Sequence, residues 1–483
     1  MVREDYKKRF VNPYNFIPLM EKCERSEPEQ KQGDSYTGYF ECSMRLLTPL
    51  FIPNTSSSQR LLKKEKAIHG NSQEQQGKGY DFFSYEDLSK EPYNGAWPPP
   101  PPAEPVIPGS EIRGAVRSVY EAAFNGCLSS LSEDLALDRG SEKTKKTIKG
   151  LLKANGGYQP CSDKDLCPAC QIFGIVEKAQ GSHTFAYGSK VRITDAKLIN
   201  PEENKQTLFG KPIILPELGQ PRPSTVEFYT KSPYEKEETI NRQGYWTYDY
   251  KRKFEDGKVV AKQTLDANQP ELRGRKYYWH SCVNLEKYKY FNDVSAMKQR
   301  IRPMIPQDTK PIFSFRVYFE QMSKQQLSCL KWALDFGDPA CAHKLGRAKP
   351  LGFGSVRLSV DRLSLREISR DTGQWQLKQL KPEAFCTEPV PSNAALKTLQ
   401  LMANWEKKPV NVQYPPGKAE EADTNATSND KASHQWFQLN QKTGSFKKVL
   451  PAPEEEVREN PDQSKVLFKL TNSNKRDGKV RGS

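Results

Sequence analysis

The chain has 483 residues, and its 74 lysines and arginines exceed its 59 aspartates and glutamates, for a formal charge of +15. This length suffices for one large core or two to three ordinary ones. No run of 18 apolar residues occurs, and the first ten residues lack the apolar core of a signal peptide. We therefore expect neither a membrane-spanning nor a secreted protein. We expect a cytoplasmic protein without membrane contact. Its ten cysteines should then form no disulfide framework. The charge favours a polyanion partner, although it also serves solubility.

Two elements are predicted in the first quarter of the chain. Residues 39–46 alternate between apolar and polar types, with Phe40 to Leu46 on the apolar side, which predicts a strand with one buried face. Residues 111–124 carry apolar side chains at helical spacing, and Ser110 is the expected N-cap.

The same order of elements is predicted to return later. A strand over 189–199 completes the first set, and an alternating strand over 312–319 begins the second. Ser323 is expected to cap the next helix, and a last strand follows residue 355, with a bulge between Val360 and Leu363. Strand, helix and strand, taken twice, predict an α+β protein with the split βαβ pattern of a ferredoxin-like fold.

Composition divides the rest of the chain. We expect an N-terminal extension, a core domain with two long insertions, and a C-terminal extension that holds a disordered linker and a basic tail. These parts are, in order, residues 1–35, 36–370 with insertions at 53–105 and 200–310, and 371–483 with its linker at 418–435.

A short cysteine-rich segment predicts a metal site. Cys167 and Cys170 are separated by two residues, a spacing that lets both thiolates reach one tetrahedral ion, and Cys161 can supply a third ligand. Cys127 and His183 are both candidates for the fourth. We expect structural zinc here. The alternatives are redox chemistry, which lacks its usual thioredoxin-like context, and unligated thiols.

Residues 273–280 alternate basic and aromatic types. Arg273, Arg275 and Lys276 can meet phosphates while the aromatic rings that follow stack on unpaired bases, as in proteins that hold single strands. The alternative is a charged turn that leads into a core strand.

Residues 348–358 contain two glycines between basic residues. A dinucleotide-binding loop needs a third glycine and a helix, and neither is expected here, so no nucleotide cofactor is predicted. Gly352 and Gly354 can instead bring main-chain N–H groups against a polynucleotide backbone, flanked by Lys349 and Arg357. The alternative is a tight turn that requires positive φ.

The sequence supports catalysis poorly. It contains no GxSxG and no HExxH pattern. A histidine that cleaves RNA would have to be His69, His280 or His343, and lone histidines are more often structural.

Three motifs in order then resemble a known family. "VIPGSEIRGAVRSVYEA" (106–122), "CPACQIFG" (167–174) and "KPLGFGSVRL" (349–358) are similar to motifs of the RAMP superfamily of CRISPR-associated proteins. The resemblance is strongest to backbone-type subunits of type III effector complexes, in a subfamily with long insertions. It covers roughly residues 11–365.

The resemblance implies a ferredoxin-like, modified RRM-type domain with a zinc knuckle. Such a domain would bind CRISPR RNA, and the target RNA complementary to it, beside other type III effector subunits. Carried over to this sequence, the RNA-binding positions are Ser110, Arg113, Arg117, Lys349, Gly352, Gly354 and Arg357.

Some backbone-type subunits also cut target RNA with an aspartate after the first strand. Residues 48–58 contain no acid here, and the weak candidates Asp81 and Asp87 lie farther along. We therefore expect a non-catalytic RNA-binding subunit. The alternative is an endoribonuclease that cuts target RNA or processes guide RNA.

Overall fold

The computed structural model describes a defined part of the chain. Its residues are 9–28, 34–57, 60–61, 78–88, 98–131, 137, 146–162, 164–176, 185–200, 207–216, 218, 225–234, 245–255, 258–288, 299–307, 310–369, 371–415, 449–458 and 467–468. The expected linker at 418–435 and the basic tail lie outside the described residues, as do His69 and His183.

Strands and helices are mixed along the chain, which confirms the α+β class. The strands are β1 (Arg9–Phe10), β2 (Tyr14–Ile17), β3 (Tyr36–Leu46), β4 (Lys78–Tyr80), β5 (Ile175–Val176), β6 (Ala186–Tyr187), β7 (Val191–Ile193), β8 (Lys197–Leu198), β9 (Ile213–Leu215), β10 (Tyr250–Glu255), β11 (Lys258–Thr264), β12 (Arg275–Tyr278), β13 (Gln299–Ile301), β14 (Phe313–Met322), β15 (His343–Lys344), β16 (Ser355–Ile368), β17 (Trp375–Leu380) and β18 (Leu467–Phe468). The helices are α1 (Gly109–Ala123), α2 (Ile148–Ala154), α3 (Pro168–Phe173), α4 (Val226–Tyr229), α5 (Lys324–Asp335), α6 (Pro382–Phe385), α7 (Ala394–Ala403) and α8 (Pro453–Glu456).

The largest sheet is antiparallel and is built from the predicted strands. Its order is β15-β16-β3-β14-β7, with β17 paired to β16 and β8 paired to β14. Of the four predicted strands, the fourth therefore lies beside the first, the third follows, and the second is at the edge. Helices α1 and α5 pack against each other and join the same apolar core as the sheet.

Alternation explains why β3 and β14 lie at the centre. Every second residue of these strands joins the core, namely Phe40, Cys42 and Met44 on β3 and Phe313, Phe315 and Val317 on β14. The alternate positions, such as Glu41 and Arg316, face away from it. Helix α5 begins with the predicted cap: the Ser323 hydroxyl accepts from the Gln326 N–H, and the Gln326 side chain accepts from the Ser323 N–H.

The last long strand contains the predicted bulge. The pairing of β16 with β3 shifts register between Val360 and Arg362. The extra residue restores Leu363 to the buried face after Val360.

Two local predictions are wrong. Ser110 is not the N-cap of α1: the helix begins at Gly109, Pro108 is the cap residue, and the Gly109 N–H donates to Asp195 Oδ1 at 2.8 Å. A distant carboxylate thus replaces the local hydroxyl. The strand expected over 189–199 is divided into β7 and β8, and both pair with β14.

The two long insertions combine in a second sheet. Strand β4 from the first insertion pairs in parallel with β13 from the second, and β9 completes the order β4-β13-β9. A small core lies against it and includes Tyr80, Ile213 and Ile301. Ala348 and Phe353 of the glycine-containing loop belong to this core, so the loop is anchored where the two sheets meet.

Part of the second insertion lies in a further small core, which includes Leu151, Val226, Trp246 and Tyr248. Trp246 is fully buried, and its indole N–H donates to the Thr230 hydroxyl at 2.9 Å. Strands β10 and β11 form a hairpin after it. No helix in the described part of the chain has the length and apolar character needed to cross a membrane.

Candidate metal centre and candidate RNA-binding residues

Four buried cysteines meet beside α1. One atom from each of Cys127, Cys161, Cys167 and Cys170 lies within 4.8 Å of the others. Cys127 follows the turn that ends α1, whereas Cys167 precedes Pro168, the first residue of α3, and Cys170 lies in its first turn. Helix α3 therefore fixes the spacing of the Cys167 and Cys170 thiols, and the end of α1 places the Cys127 thiol beside them. We call this set the cysteine cluster.

The cluster has the dimensions of a tetrahedral thiolate site. With metal–sulfur bonds of about 2.3 Å, neighbouring sulfurs of a tetrahedron lie about 3.8 Å apart. Cys127 Sγ and Cys170 Sγ are 3.6 Å apart. Cys127, one of the two candidates for the fourth ligand, thus lies with the other three cysteines. His183, the other candidate, lies outside the described residues, so the identity of the fourth ligand stays a prediction. The arrangement is compatible with a structural metal ion.

The thiols of the cluster favour different protonation states. Hydrogen bonds, first from Cys127, hold the pKa of Cys167 well below its usual range, while hydrogen bonds to Cys161 raise that of Cys127. The N–H of Cys167 also donates to Cys161 Sγ at 3.3 Å. A thiolate is the form that ligates metals, so binding of an ion would release the protons that remain on the cluster.

Two arginines that are expected to bind RNA, Arg117 from the resemblance and Arg275 from the sequence pattern, contact the cysteine cluster. Arg117 donates from Nη2 to Cys170 Sγ at 3.4 Å and from Nη1 to the Gly174 carbonyl at 2.9 Å. Arg275 donates to the carbonyls of Cys127 and Gly126. Their guanidinium groups hold the main chain around the thiols, and whether either also meets RNA stays a prediction.

Arg113 and Ser110 lie on the same helix. Arg113 donates to the Phe173 carbonyl and its guanidinium lies 5.7 Å from the centroid of the Phe173 ring. Like Arg117, it secures the end of α3. Ser110 is exposed in the first turn of α1 and remains accessible to a ligand.

The basic and aromatic segment 273–280 is part of the folded interior. Strand β12 pairs with β2, Tyr277 and Trp279 are buried, and the indole of Trp279 donates to Glu456 at 2.7 Å. Arg273 donates to the Thr230 carbonyl at 3.1 Å. Lys276 Nζ lies 3.9 Å from the centroid of the Tyr14 ring, and burial lowers its pKa to about 8. The geometry favours the alternative of a charged turn that leads into a core strand.

The glycine-containing loop is held tightly by its own protein. Gly354 has φ +74, and its N–H donates to the Pro49 carbonyl at 2.8 Å. Gly352 has φ +93, and its N–H donates to the Lys349 carbonyl at 3.0 Å. Both amides are therefore used within the loop region, so a phosphate here would be bound by side chains.

A buried lysine supports the same loop. Lys344 Nζ donates to the carbonyls of Gly352 and Phe353, each at 3.1 Å, and burial lowers its pKa to about 7. Lys349 is half-buried, and burial lowers its pKa as well. Arg357 lies on β16, where it faces Glu406 at 3.6 Å.

The candidate catalytic residues are placed very differently. Asp81 is fully buried, with Arg60 at 3.4 Å and Arg302 at 3.3 Å, and burial raises its pKa. Asp87 is exposed.

The two described histidines among the candidates are structural. His280 bonds to the Ser355 hydroxyl and the Ala342 carbonyl, and His343 donates to the Leu334 carbonyl at 2.8 Å. Burial lowers the pKa of both, that of His343 to about 4.

Comparison with known proteins identifies a family. A family model described as "RAMPs: RAMP superfamily" matches residues 43–357. No curated protein matches the chain. Among solved structures, one titled "Type IV-B CRISPR Complex" is similar at 12% sequence identity and covers 66% of this chain and 89% of that chain, with a TM-score of 0.24. A TM-score this low does not show a shared fold, so the family is identified from the match to the family model alone.

Proposed function

Because the chain belongs to the RAMP superfamily, we propose that it is an RNA-binding subunit of a type III CRISPR effector ribonucleoprotein. In antiviral defence it would hold CRISPR RNA, and the target RNA paired with it, beside related subunits. The family match over residues 43–357 carries this proposal, since it spans the main sheet from β3 to β16. The formal charge of +15 agrees with a polyanion ligand.

The proposed core is ferredoxin-like and of a modified RRM type, within residues 36–370. The strand order supports this, because the fourth, first, third and second predicted strands lie side by side and are antiparallel. Two helices, α1 and α5, connect the strands in the split βαβ manner. A sheet of this kind is a frequent support for single-stranded RNA.

The proposed metal is zinc in a purely structural role. Four thiolates complete a tetrahedron and leave no position open for substrate, which is the arrangement of structural zinc sites. Zinc would tie the end of α1 to α3. Arg113 and Arg117 would then stabilise the zinc-binding segment through their contacts with the end of α3. Whether they also bind RNA, as the resemblance implies, can be tested directly.

The described contacts favour binding over cleavage. Asp81 is enclosed by two arginines and cannot approach a phosphodiester without unfolding its surroundings. Ser110, Lys349 and Arg357 remain proposed RNA contacts, through side chains. Endoribonuclease activity is the alternative, with Asp87 as its exposed acid.

The proposal is tested by purification of the full chain from cells that transcribe a CRISPR array. A discrete RNA of guide length that resists nuclease in the complex is the expected result. Recovery of RNA-free protein that also fails to bind added guide RNA would contradict the proposed function.

The strength of binding supplies a second measure. Log affinity for guide RNA should fall linearly with log salt, with a slope near −0.7 per phosphate neutralised on a single strand. Arg357→Gln should reduce that slope by about 0.7 if Arg357 meets one phosphate. Arg113→Gln, the matched control on α1, should leave the slope unchanged, because Arg113 donates to the Phe173 carbonyl. An unchanged slope for Arg357→Gln would remove this residue from the interface.

A further inference from the structure

One face of the main sheet lies away from helices α1 and α5, and we call it the outer face. Alternation and register place its side chains in rows across the strands. Tyr318 of β14 lies opposite Tyr39 of β3 and opposite Arg192 of β7. The arginines on this face are Arg45, Arg192, Arg316, Arg357, Arg362 and Arg366. Most of them are exposed, so a ligand can reach the face.

Two tyrosines form its centre. The rings of Tyr39 and Tyr318 lie 5.3 Å apart between centroids, at an interplanar angle of 49°, and both are half-buried. The Arg316 guanidinium lies 4.9 Å from the centroid of the Tyr39 ring. Each ring stands on a strand that is paired on both sides, β3 with β14 and β16, and β14 with β3 and β7. Flat aromatic surfaces flanked by arginine are what unpaired bases stack on.

The outer face is also cationic after its internal ion pairs are counted. Glu41 forms ion pairs with Arg316 at 3.1 Å and with Arg362 at 3.6 Å, and Glu320 forms one with Arg192. Asp361 accepts a hydrogen bond from the Ser43 hydroxyl at 3.1 Å. Among the described residues, these three acids and Glu406, which lies 3.6 Å from Arg357, oppose the six arginines. The remaining positive charge favours a polyanion as the ligand.

Two arginines on the outer face form a candidate anion-binding site. Arg45 and Arg357 lie directly opposite each other on β3 and β16. Like charges in that position destabilise a sheet. The Nε group of each is buried and has no hydrogen-bond partner among the described residues. Glu406, 3.6 Å from Arg357, is the one acid among the described residues that pairs with either arginine. A phosphate between the two guanidinium groups would neutralise both.

On the premise of the RNA-binding function above, we propose that the outer face holds a single-stranded stretch of RNA. Bases stack on Tyr39 and Tyr318, and a phosphate lies between Arg45 and Arg357. Arg45 lies six residues after Tyr39 on β3, about 20 Å of extended strand, so the stretch spans several nucleotides. The ligand is recognised by stacking and charge, which predicts little base preference.

The test compares two double variants with fluorescein-labelled oligouridine as the probe. Tyr39→Leu with Tyr318→Leu removes both rings and should weaken binding by about ten-fold or more. Tyr39→Phe with Tyr318→Phe keeps the rings and should bind within about two-fold of the wild type. Equal affinity of folded Leu and wild-type proteins would overturn the proposal, while the RNA-binding function would stand.

A second measurement uses the unmodified protein and so does not depend on how the variants fold. RNA that contains 4-thiouridine is crosslinked by light to the wild-type chain, and the modified peptides are identified by mass spectrometry. Crosslinks in peptides that contain Tyr39 or Tyr318 support the proposal, and crosslinks confined to other surfaces overturn it. A wild-type chain that binds no RNA would overturn the proposed function together with this inference.

Discussion

The guanidinium of Arg117 donates to Cys170 Sγ at 3.4 Å while it also pairs with Glu121 at 2.8 Å, one turn farther along α1. A cluster of four thiolates around a divalent ion carries a net negative charge, and a buried guanidinium is a suitable counter-charge. Helix α1 is therefore joined to the cysteine cluster by an ion-pair network as well as by the chain.

The first prediction concerns the metal. Purified protein should carry about one zinc per chain, and Cys127→Ser should lose it, because three thiols leave the tetrahedron incomplete. Cys329→Ser, which changes a buried cysteine of α5 outside the cluster, should keep the metal. Elemental analysis measures both. Zinc retained by Cys127→Ser would exclude Cys127 as a ligand.

The same variant should also melt at a lower temperature. Structural zinc contributes about 10 kcal/mol or more of apparent binding energy, so its loss is expected to be plain in thermal unfolding. Cys167→Ser combined with Cys170→Ser should behave alike. A metal-free wild-type protein of full stability would contradict the zinc assignment.

The second prediction concerns Gly354. A Cβ at this position would lie 1.9 Å from the Leu345 carbonyl oxygen, and φ is +74, so Gly354→Ala should cost several kcal/mol of unfolding free energy. Gly373→Ala is the matched control. Its φ is +66, but nothing lies within 4 Å of the added Cβ, so it should cost about 1 kcal/mol.

Denaturant unfolding measures the difference between these two glycines. RNA affinity per folded molecule should be unchanged in Gly354→Ala, because the Gly354 amide already donates to Pro49. A stable Gly354→Ala protein with weakened RNA binding would show instead that this loop approaches the RNA backbone.

The third prediction concerns Asp81. Asp81→Asn leaves Arg60 and Arg302 without their counter-charge in a buried place, which should destabilise the protein by about 3–5 kcal/mol. Asp371→Asn, at an exposed position, should cost less than about 0.5 kcal/mol. Chemical unfolding gives both values. A fully stable Asp81→Asn protein that has lost a metal-dependent cut in bound RNA would instead identify Asp81 as the catalytic acid of an endoribonuclease.

The fourth prediction concerns pH. Burial raises the pKa of Glu456 to about 8, and its carboxylate accepts from the Asn15 amide at 2.8 Å and the Trp279 indole at 2.7 Å. Between about pH 5 and pH 8 the folded state is therefore expected to hold a proton that the unfolded state has released. The contribution to stability is complete below the unfolded pKa and is lost as pH rises through about 8.

Glu456→Gln keeps an acceptor oxygen but has no charge to bury. Its melting temperature, relative to wild type, should therefore rise between about pH 5 and pH 9. Arg273, whose charge favours the ionised carboxylate, limits the size of the effect. A constant difference between the two proteins across this range would show that Glu456 is ionised throughout.

The core of the fold was predictable because its signals are local. Alternation in 39–46 and 312–319, and the serine before α5, depend on neighbouring residues alone. The N-terminus of α1 was not predictable in this way. Its first N–H is satisfied by Asp195, which lies far along the sequence and reaches it only in the folded chain.

The candidate sites divide along the same line. Cys161, Cys167 and Cys170 were predicted from spacing, but the choice of Cys127 needs the position at which α1 ends. The roles of Arg117 and Arg275 depend on which carbonyls and thiols the fold brings to them. The residue type of Arg117 and Arg275 predicts a positive charge, but it cannot predict which groups that charge contacts.

The order of strands in the main sheet has a consequence for synthesis. Strand β3 is made early, yet both of its neighbours, β14 and β16, come from beyond residue 312. The growing chain therefore leaves the ribosome with the backbone edges of β3 unpaired until most of the protein has been translated. Exposed strand edges of this kind are prone to aggregation, and long-range pairing is slow. Folding in the cell is then expected to need a chaperone that shields this segment during translation.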